Sequence, residues 1–192
     1  MSKKTVLMFF ILLAPLAASG QDFALKTNLL YDAALTVNAG AEIGLAPRWT
    51  LDLSGNYNGW TVDGHKWKHW LAQPEARYWF CERFAEHFLG VHALGGQYNF
   101  GNIPNNIKFL GTDFSILNDN RVQGWAAGAG VAYGYAFVLG KHWNIELEIG
   151  VGYIWTRYDV FECVECGRRT VSDAQHHYFG PTKAAVNLVY VF

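Results

Sequence analysis

The stretch Lys183–Phe192, KAAVNLVYVF, decides how this chain is read. Successive side chains of an extended strand point to opposite sides, so Val186, Leu188, Tyr190 and Phe192 share one face and Lys183, Ala185 and Asn187 the other. In a soluble sheet an exposed apolar edge strand invites aggregation. In a bilayer a closed sheet needs such a strand, because every backbone group at membrane depth must be paired. The upstream sequence should then repeat the same alternation.

It does so in eight segments: Ala24 to Leu35, Thr36 to Ala46, Trp49 to Trp60, Trp67 to Phe80, Phe88 to Gly101, Val122 to Gly140, Trp143 to Phe161 and Tyr178 to Phe192. An even strand number is expected of a single-chain bacterial barrel with both termini in the periplasm, as are short turns on one side and longer loops on the other. The inner turns fall at 46–48, 81–87 and 140–142 and the outer connections at 61–66, 102–121 and 162–177, the last two by far the longest; the first outer connection, near Asp32 to Thr36, is short. The pattern predicts an all-β fold, an eight-stranded antiparallel up-and-down transmembrane β-barrel. An alternating last strand ending on Tyr190 and Phe192 resembles the assembly signal of bacterial outer-membrane barrels, which makes the barrel-assembly machinery and outer-membrane lipid its expected partners.

Residues 1–20 combine Lys3 and Lys4 with the apolar run VLMFFILLAPLAA and small residues before Gln21, the three parts of a cleaved signal peptide. Residues 21–192 then form one outer-membrane domain, expected as a monomer. No later run approaches ~18 apolar residues, so a spanning helix is not available. The chain has 8 Trp, 10 Tyr and 13 Phe and a formal charge of −1, which offers aromatics for membrane interfaces and no basic patch for nucleic acid.

Two strands assign the faces. In 122–140 one face carries Trp125, Ala127, Ala129, Val131, Tyr133, Tyr135, Phe137 and Leu139, and the other Gly124, Ala126, Gly128, Gly130, Ala132, Gly134 and Ala136. The bare row suits a crowded interior and the bulky row suits lipid. In 143–161, Trp143, Ile145, Leu147, Ile149, Val151, Tyr153 and Trp155 face outward, opposite Asn144, Glu146 and Glu148. The competing soluble, lipocalin-like barrel would put the bulky rows inside, around a small ligand.

The same parity collects a polar lumen network of Lys26, Asp32, Glu42, Asp52, Glu75, Arg77, His92, Glu146, Glu148 and Lys183, with Asn28, Asn56, Asn58 and Gln73 beside it. Its acids (Asp32, Glu42, Asp52, Glu75, Glu146, Glu148) outnumber its bases (Lys26, Arg77, Lys183) six against three. Two readings stay open: a structural plug of ion pairs, with Glu75 and Arg77 as partners, or a selective pore or proton-linked site.

The loops hold the remaining candidates. Ile107, Phe109, Phe114 and Ile116 make the long connection unusually apolar, so it either folds over the barrel mouth or forms a contact surface. Cys163 and Cys166 are a candidate disulfide, in a small strained ring; Cys81 falls at the opposite end of the barrel. With His65, His69, His176 and His177 the same cysteines make the weaker alternative of a zinc set. Ser172, Asp173, His176 and His177 are the residue types of a lipid hydrolase or acyltransferase, but no catalytic spacing joins them. The expectation is no catalytic residue, no metal and no cofactor.

The segments Leu25–Leu45, LKTNLLYDAALTVNAGAEIGL, and Gln73–Trp79, QPEARYW, together with the last strand, resemble the DUF3575 family of exported Bacteroidetes proteins. The resemblance implies an outer-membrane barrel related in architecture to the transmembrane domain of outer-membrane protein A. It also implies a role in envelope organisation or adhesion beside surface-fibre proteins, and carries no catalytic residue over. The expected function is structural, adhesive or surface-assembly work by the extracellular loops; the alternatives are a narrow pore or small-ligand transporter, and a lipid-modifying enzyme.

Overall fold

A computed structural model describes residues 22–103, 108–109, 112–163 and 167–192. Its strands are β1 (Phe23–Asn28), β2 (Val37–Ala46), β3 (Trp49–Asn58), β4 (His65–Trp79), β5 (Glu86–Gly101), β6 (Arg121–Val138), β7 (Trp143–Phe161) and β8 (Arg169–Val191), with one short helix, α1 (Leu29–Ala33). Each strand pairs antiparallel with the next, and β8 returns to β1 from Ala24↔Val191 to Asn28↔Asn187. Eight antiparallel strands thus close into a ring; a ninth strand of the sheet, Thr61–Val62, is a two-residue arm on β4.

The predicted boundaries fail in three places, each for a local reason. The alternation that suggests a strand through Leu35 is interrupted at Asn28, whose side chain accepts a hydrogen bond from the Leu30 N–H at 3.1 Å and caps α1. Residues 61–66, expected as a loop, form a hairpin, because Asp63 and Gly64 both take positive φ (49° and 78°), as a two-residue turn between strands requires. The last strand begins at Arg169 instead of Tyr178. Its outer part has no apolar alternation to announce it, but β7 supplies a partner ladder through Trp155↔His177 and Tyr158↔Ala174.

The two ends of the ring differ. Residues 47–48, 80–85 and 139–142 make connections of two to six residues at one end, and 29–36, 59–64, 102–120 and 162–168 make connections of six to nineteen at the other. At the long-loop end β4 to β8 rise above β1 to β3, since β1 stops opposite Asn187 while β8 continues outward to Arg169.

Inside and outside are inverted relative to a water-soluble sheet. Glu146 is 0% exposed while its neighbours Leu147 and Ile149 are 45% and 61% exposed. The outer face continues with Leu53, Val91, Val131, Tyr133 and Val151, all exposed. The bare row of β6 lines the interior because its neighbours demand it: a Cβ at Gly134 would lie 2.3 Å from Cζ of Phe88, and one at Gly130 would lie 2.8 Å from Nε2 of His92.

An apolar plug of Trp79, Phe84, Phe88, Val189 and Val191 fills the short-turn end. Trp79 donates its indole N–H to Thr50 at 2.9 Å, which satisfies the one polar atom of this buried ring. At the other end Leu117, from the long connection, packs with Val122 and Val160 against Tyr98, Phe100, Ile103 and Tyr158. The described end of that connection therefore folds into the mouth.

Candidate functional site

Between these apolar layers lies a buried ionic layer built around Arg77, which β4 delivers inward two residues before Trp79. Its Nε bonds Glu75 Oε1 at 2.7 Å, Nη1 meets Glu42 Oε2 at 2.7 Å and Glu146 Oε2 at 3.2 Å, and Nη2 meets Glu148 Oε2 at 2.8 Å and Asp52 Oδ2 at 3.0 Å. One guanidinium thus joins carboxylates from four strands, a use of its planar fork that a lysine could not match. Its carbon Cζ also stands 4.4 Å from the centre of the Phe88 ring, at the top of the apolar plug.

Two lysines complete the layer. Lys26 bonds Glu42 and lies 3.2 Å from Glu146 Oε2; Lys183 lies 2.7 Å from Glu75 Oε2 and 3.0 Å from Glu148 Oε1. His92 sits at the edge, its Nδ1 3.6 Å from Glu75 and its Nε2 2.9 Å from the Thr182 hydroxyl. Asn187 reaches Glu146 at 3.4 Å, and Thr50 donates to Glu42. The structure therefore gathers Lys26, Glu42, Asp52, Glu75, Arg77, His92, Glu146, Glu148 and Lys183 in one layer.

Asp32 is the exception. It lies on α1 at the rim, exposed, where it accepts from Thr27 at 2.9 Å and from Asn38 at 2.7 Å. Within the layer the balance is five carboxylates (Glu42, Asp52, Glu75, Glu146, Glu148) against Lys26, Arg77 and Lys183. The space left beside Lys26, Asp52, Gln73, Lys183 and Asn187 is about 30 Å³, room for no more than a few water molecules.

Sequence reading misses Thr182 in this layer. A register shift between Gly150/Val151 and their partners Lys183/Pro181 leaves Thr182 as an extra residue, so Thr182 and Lys183 both serve the interior and simple parity breaks.

The loop candidates are dispersed. Lys108–Phe109 pairs with Thr112–Asp113, and Phe114 opens a 3-10 turn ending at Leu117; Ile116 is 40% exposed, and Ile107 lies outside the described residues. Cys163 follows β7, and Cys166 lies outside the described residues, so the candidate disulfide does too. Cys81 is exposed at the short-turn end. Asp173 is held by Arg157, His177 by the Tyr153 hydroxyl and His176 by Thr112 at 2.8 Å. Among the described residues no hydrogen bond links Ser172 to either histidine, and no group of three or more His, Cys, Asp or Glu side chains could hold a metal.

At the short-turn end, Trp49 packs on Tyr78, Trp143 on Tyr190 and Phe23 on Phe192, so Tyr190 and Phe192 belong to an aromatic collar. Trp125 and Trp155 meet edge-to-face at 4.8 Å nearer the other end.

A closed antiparallel ring with a charged, filled interior and an apolar exterior is the class of protein that these features define. The chain belongs to the DUF3575 family, described as proteins of unknown function, whose sequence pattern matches residues 6–192. No curated protein and no solved structure matches it.

Proposed function

We propose that this protein is an eight-stranded outer-membrane β-barrel whose role is structural, adhesive or surface-assembling and is carried by the loops of its taller end. The observation that supports it is the inversion of polarity across one sheet: Arg77 and Glu146 are 0% exposed inside, while Ile149 and Val131 are 61% and 55% exposed outside. In water such an exterior would be an aggregation liability, whereas in lipid it is the required surface. On β7 the outward row from Trp143 to Tyr153 is ten residues long in rise, which at ~3.3 Å per residue and a tilt near 40° spans roughly 25 Å, the height of an outer-membrane apolar band. The aromatic collars then lie at the two interfaces.

Filling of the interior by the Arg77 layer and the apolar plug favours a plugged, structural lumen over a pore. The long-loop end, with the taller β4–β8 wall, is the surface offered to the outside and to envelope partners.

The test is electrophoretic mobility with and without boiling, on protein lacking residues 1–20 and refolded in detergent, alongside circular dichroism. A heat-modifiable band with a strand spectrum is expected. A protein that is monodisperse without detergent would overturn the membrane reading. In a planar bilayer no conductance above background is expected, and discrete channel steps would overturn the plugged lumen.

A further inference from the structure

Above the apolar band, the outer face carries a continuous cross-strand row. Tyr57 of β3 pairs with Trp70 of β4, Trp70 with Gln97 of β5, Gln97 with Trp125 of β6, and Trp125 with Arg157 of β7. Directly paired residues share a face, and Trp70 has the parity opposite to the buried Gln73, Glu75 and Arg77, so this row points outward. The Trp70 indole N–H donates to Gln97 Oε1 at 3.2 Å, and Arg157 is clamped by both carboxylate oxygens of Asp173. The next row, Lys68↔Asn99↔Gln123↔Asp159, lies one step closer to the loops. Together they border a trough of about 710 Å³.

We infer that this trough binds the sugar headgroup of a glycolipid in the outer leaflet, an inference that rests on the membrane-barrel reading. The side chains match that chemistry. Flat Tyr and Trp rings offer apolar faces to the C–H faces of a sugar ring. Gln97, Asn99 and Gln123 each offer donors and an acceptor, as hydroxyl groups demand. Arg157 and Asp173 add fixed donors and acceptors with no net charge. Among the residues that border the trough, Lys68 and Arg157 stand against Asp159 and Asp173, and both acids are already held in ion pairs, Asp173 by Arg157 and Asp159 by Arg169 at 3.3 Å, so the trough offers no cluster of free cations for a bare phosphate.

A peptide strand is a poorer fit, because in the row of Trp70, Gln97, Trp125 and Arg157 strands β4 to β7 are each paired on both sides and have no free backbone edge. The volume lies within the usual range of small-ligand sites and holds one or two sugar rings. The lipid source follows from position: below Trp125 the same strand continues outward through Ala127, Ala129 and Val131, where acyl chains would lie.

The experiment uses the refolded protein immobilised in detergent and three probes: rough lipopolysaccharide, the core oligosaccharide freed from it by mild acid, and phosphatidylglycerol. Saturable binding of the lipopolysaccharide is expected, weakened about tenfold or more by Trp125→Ala, and by Gln97→Leu should the first variant not fold, with phosphatidylglycerol binding wild type and variant alike. Equal lipopolysaccharide affinity in wild type and a folded variant would overturn the site. Free oligosaccharide bound as tightly as the lipid would overturn the lipid source, and wild-type preference for phosphatidylglycerol would overturn sugar recognition. Heat-modifiability of the same wild-type sample reports on the barrel separately, so failure of the fold and failure of the site are distinct results.

Discussion

The two faces of β7 lie a single residue apart and obey opposite rules. Inward, Glu146 and Glu148 meet Arg77 and the two lysines, and every contact is directional. Outward, Leu147 and Ile149 are exposed and have no directional partner to find. At this height the interior is thus specified by pairing and the exterior by the solvent it meets, whereas farther out the outer face gains directional contacts such as Arg157 with Asp173. Replacements on the two faces should therefore fail for different reasons.

The largest effect is expected from Arg77→Ala. It leaves five buried carboxylates to two lysines, and breaking a buried ion-pair network by removing one partner costs on the order of 3 to 5 kcal/mol. Urea titration of the protein in phospholipid vesicles measures it; a loss below ~1 kcal/mol would mean the layer does not hold the ring together.

On the other face, Leu147→Arg should destabilise the vesicle-inserted protein by roughly 2 to 4 kcal/mol at mid-membrane. The same change on a water-facing surface would lie within about ±0.5 kcal/mol, so this variant discriminates the solvent outside the ring directly.

A smaller loss, about 1 to 3 kcal/mol, is expected for Gly134→Ala, because the new methyl group meets the Phe88 ring and the Leu147 carbonyl oxygen at 2.9 Å. Gly140→Ala, whose Cβ would meet nothing within 4 Å, is its control in the same titration. Equal stability of the two variants would contradict the crowded interior.

The smallest effect is local and lies beyond both faces. In the long connection Asp113 accepts from the Ser115 hydroxyl and N–H, at 2.5 Å and 3.0 Å, and pairs with Lys108 at 2.9 Å. The Ser115 bonds first, then Lys108, hold its carboxyl down to about 2. A depressed carboxyl contributes stability that is present above its usual range and lost as pH falls through the folded value. The protection of the Ser115 amide, its exchange rate taken relative to that of an unstructured amide at the same pH, should therefore be steady from neutral pH down to about 4 and fall toward pH 2; a fall already between 5 and 4 would contradict the carboxylate cap.

Much of this organisation is legible in the sequence because strand parity is local. The segment 143–161 matches β7 at both ends, and the polar residues that parity places together, such as Glu75 and Arg77, do meet, at 2.7 Å. Where a local cap or an unpatterned ladder takes over, parity misleads. Asn28 turns the chain into α1 and carries Asp32 to the rim, and residues 169–177 become strand only because β7 is beside them.

From the sequence alone follow the alternation, the even number of strands and the sign of each face, since period-two patterning needs no knowledge of neighbours. Tertiary structure alone decides that one guanidinium serves carboxylates from four strands, that Thr182 joins Lys183 inside, and that Tyr57, Trp70, Gln97, Trp125 and Arg157 form one row. The physical reason is register. Which residues face one another across a sheet depends on how strands distant in sequence slide to close the ring, and no single strand carries that information.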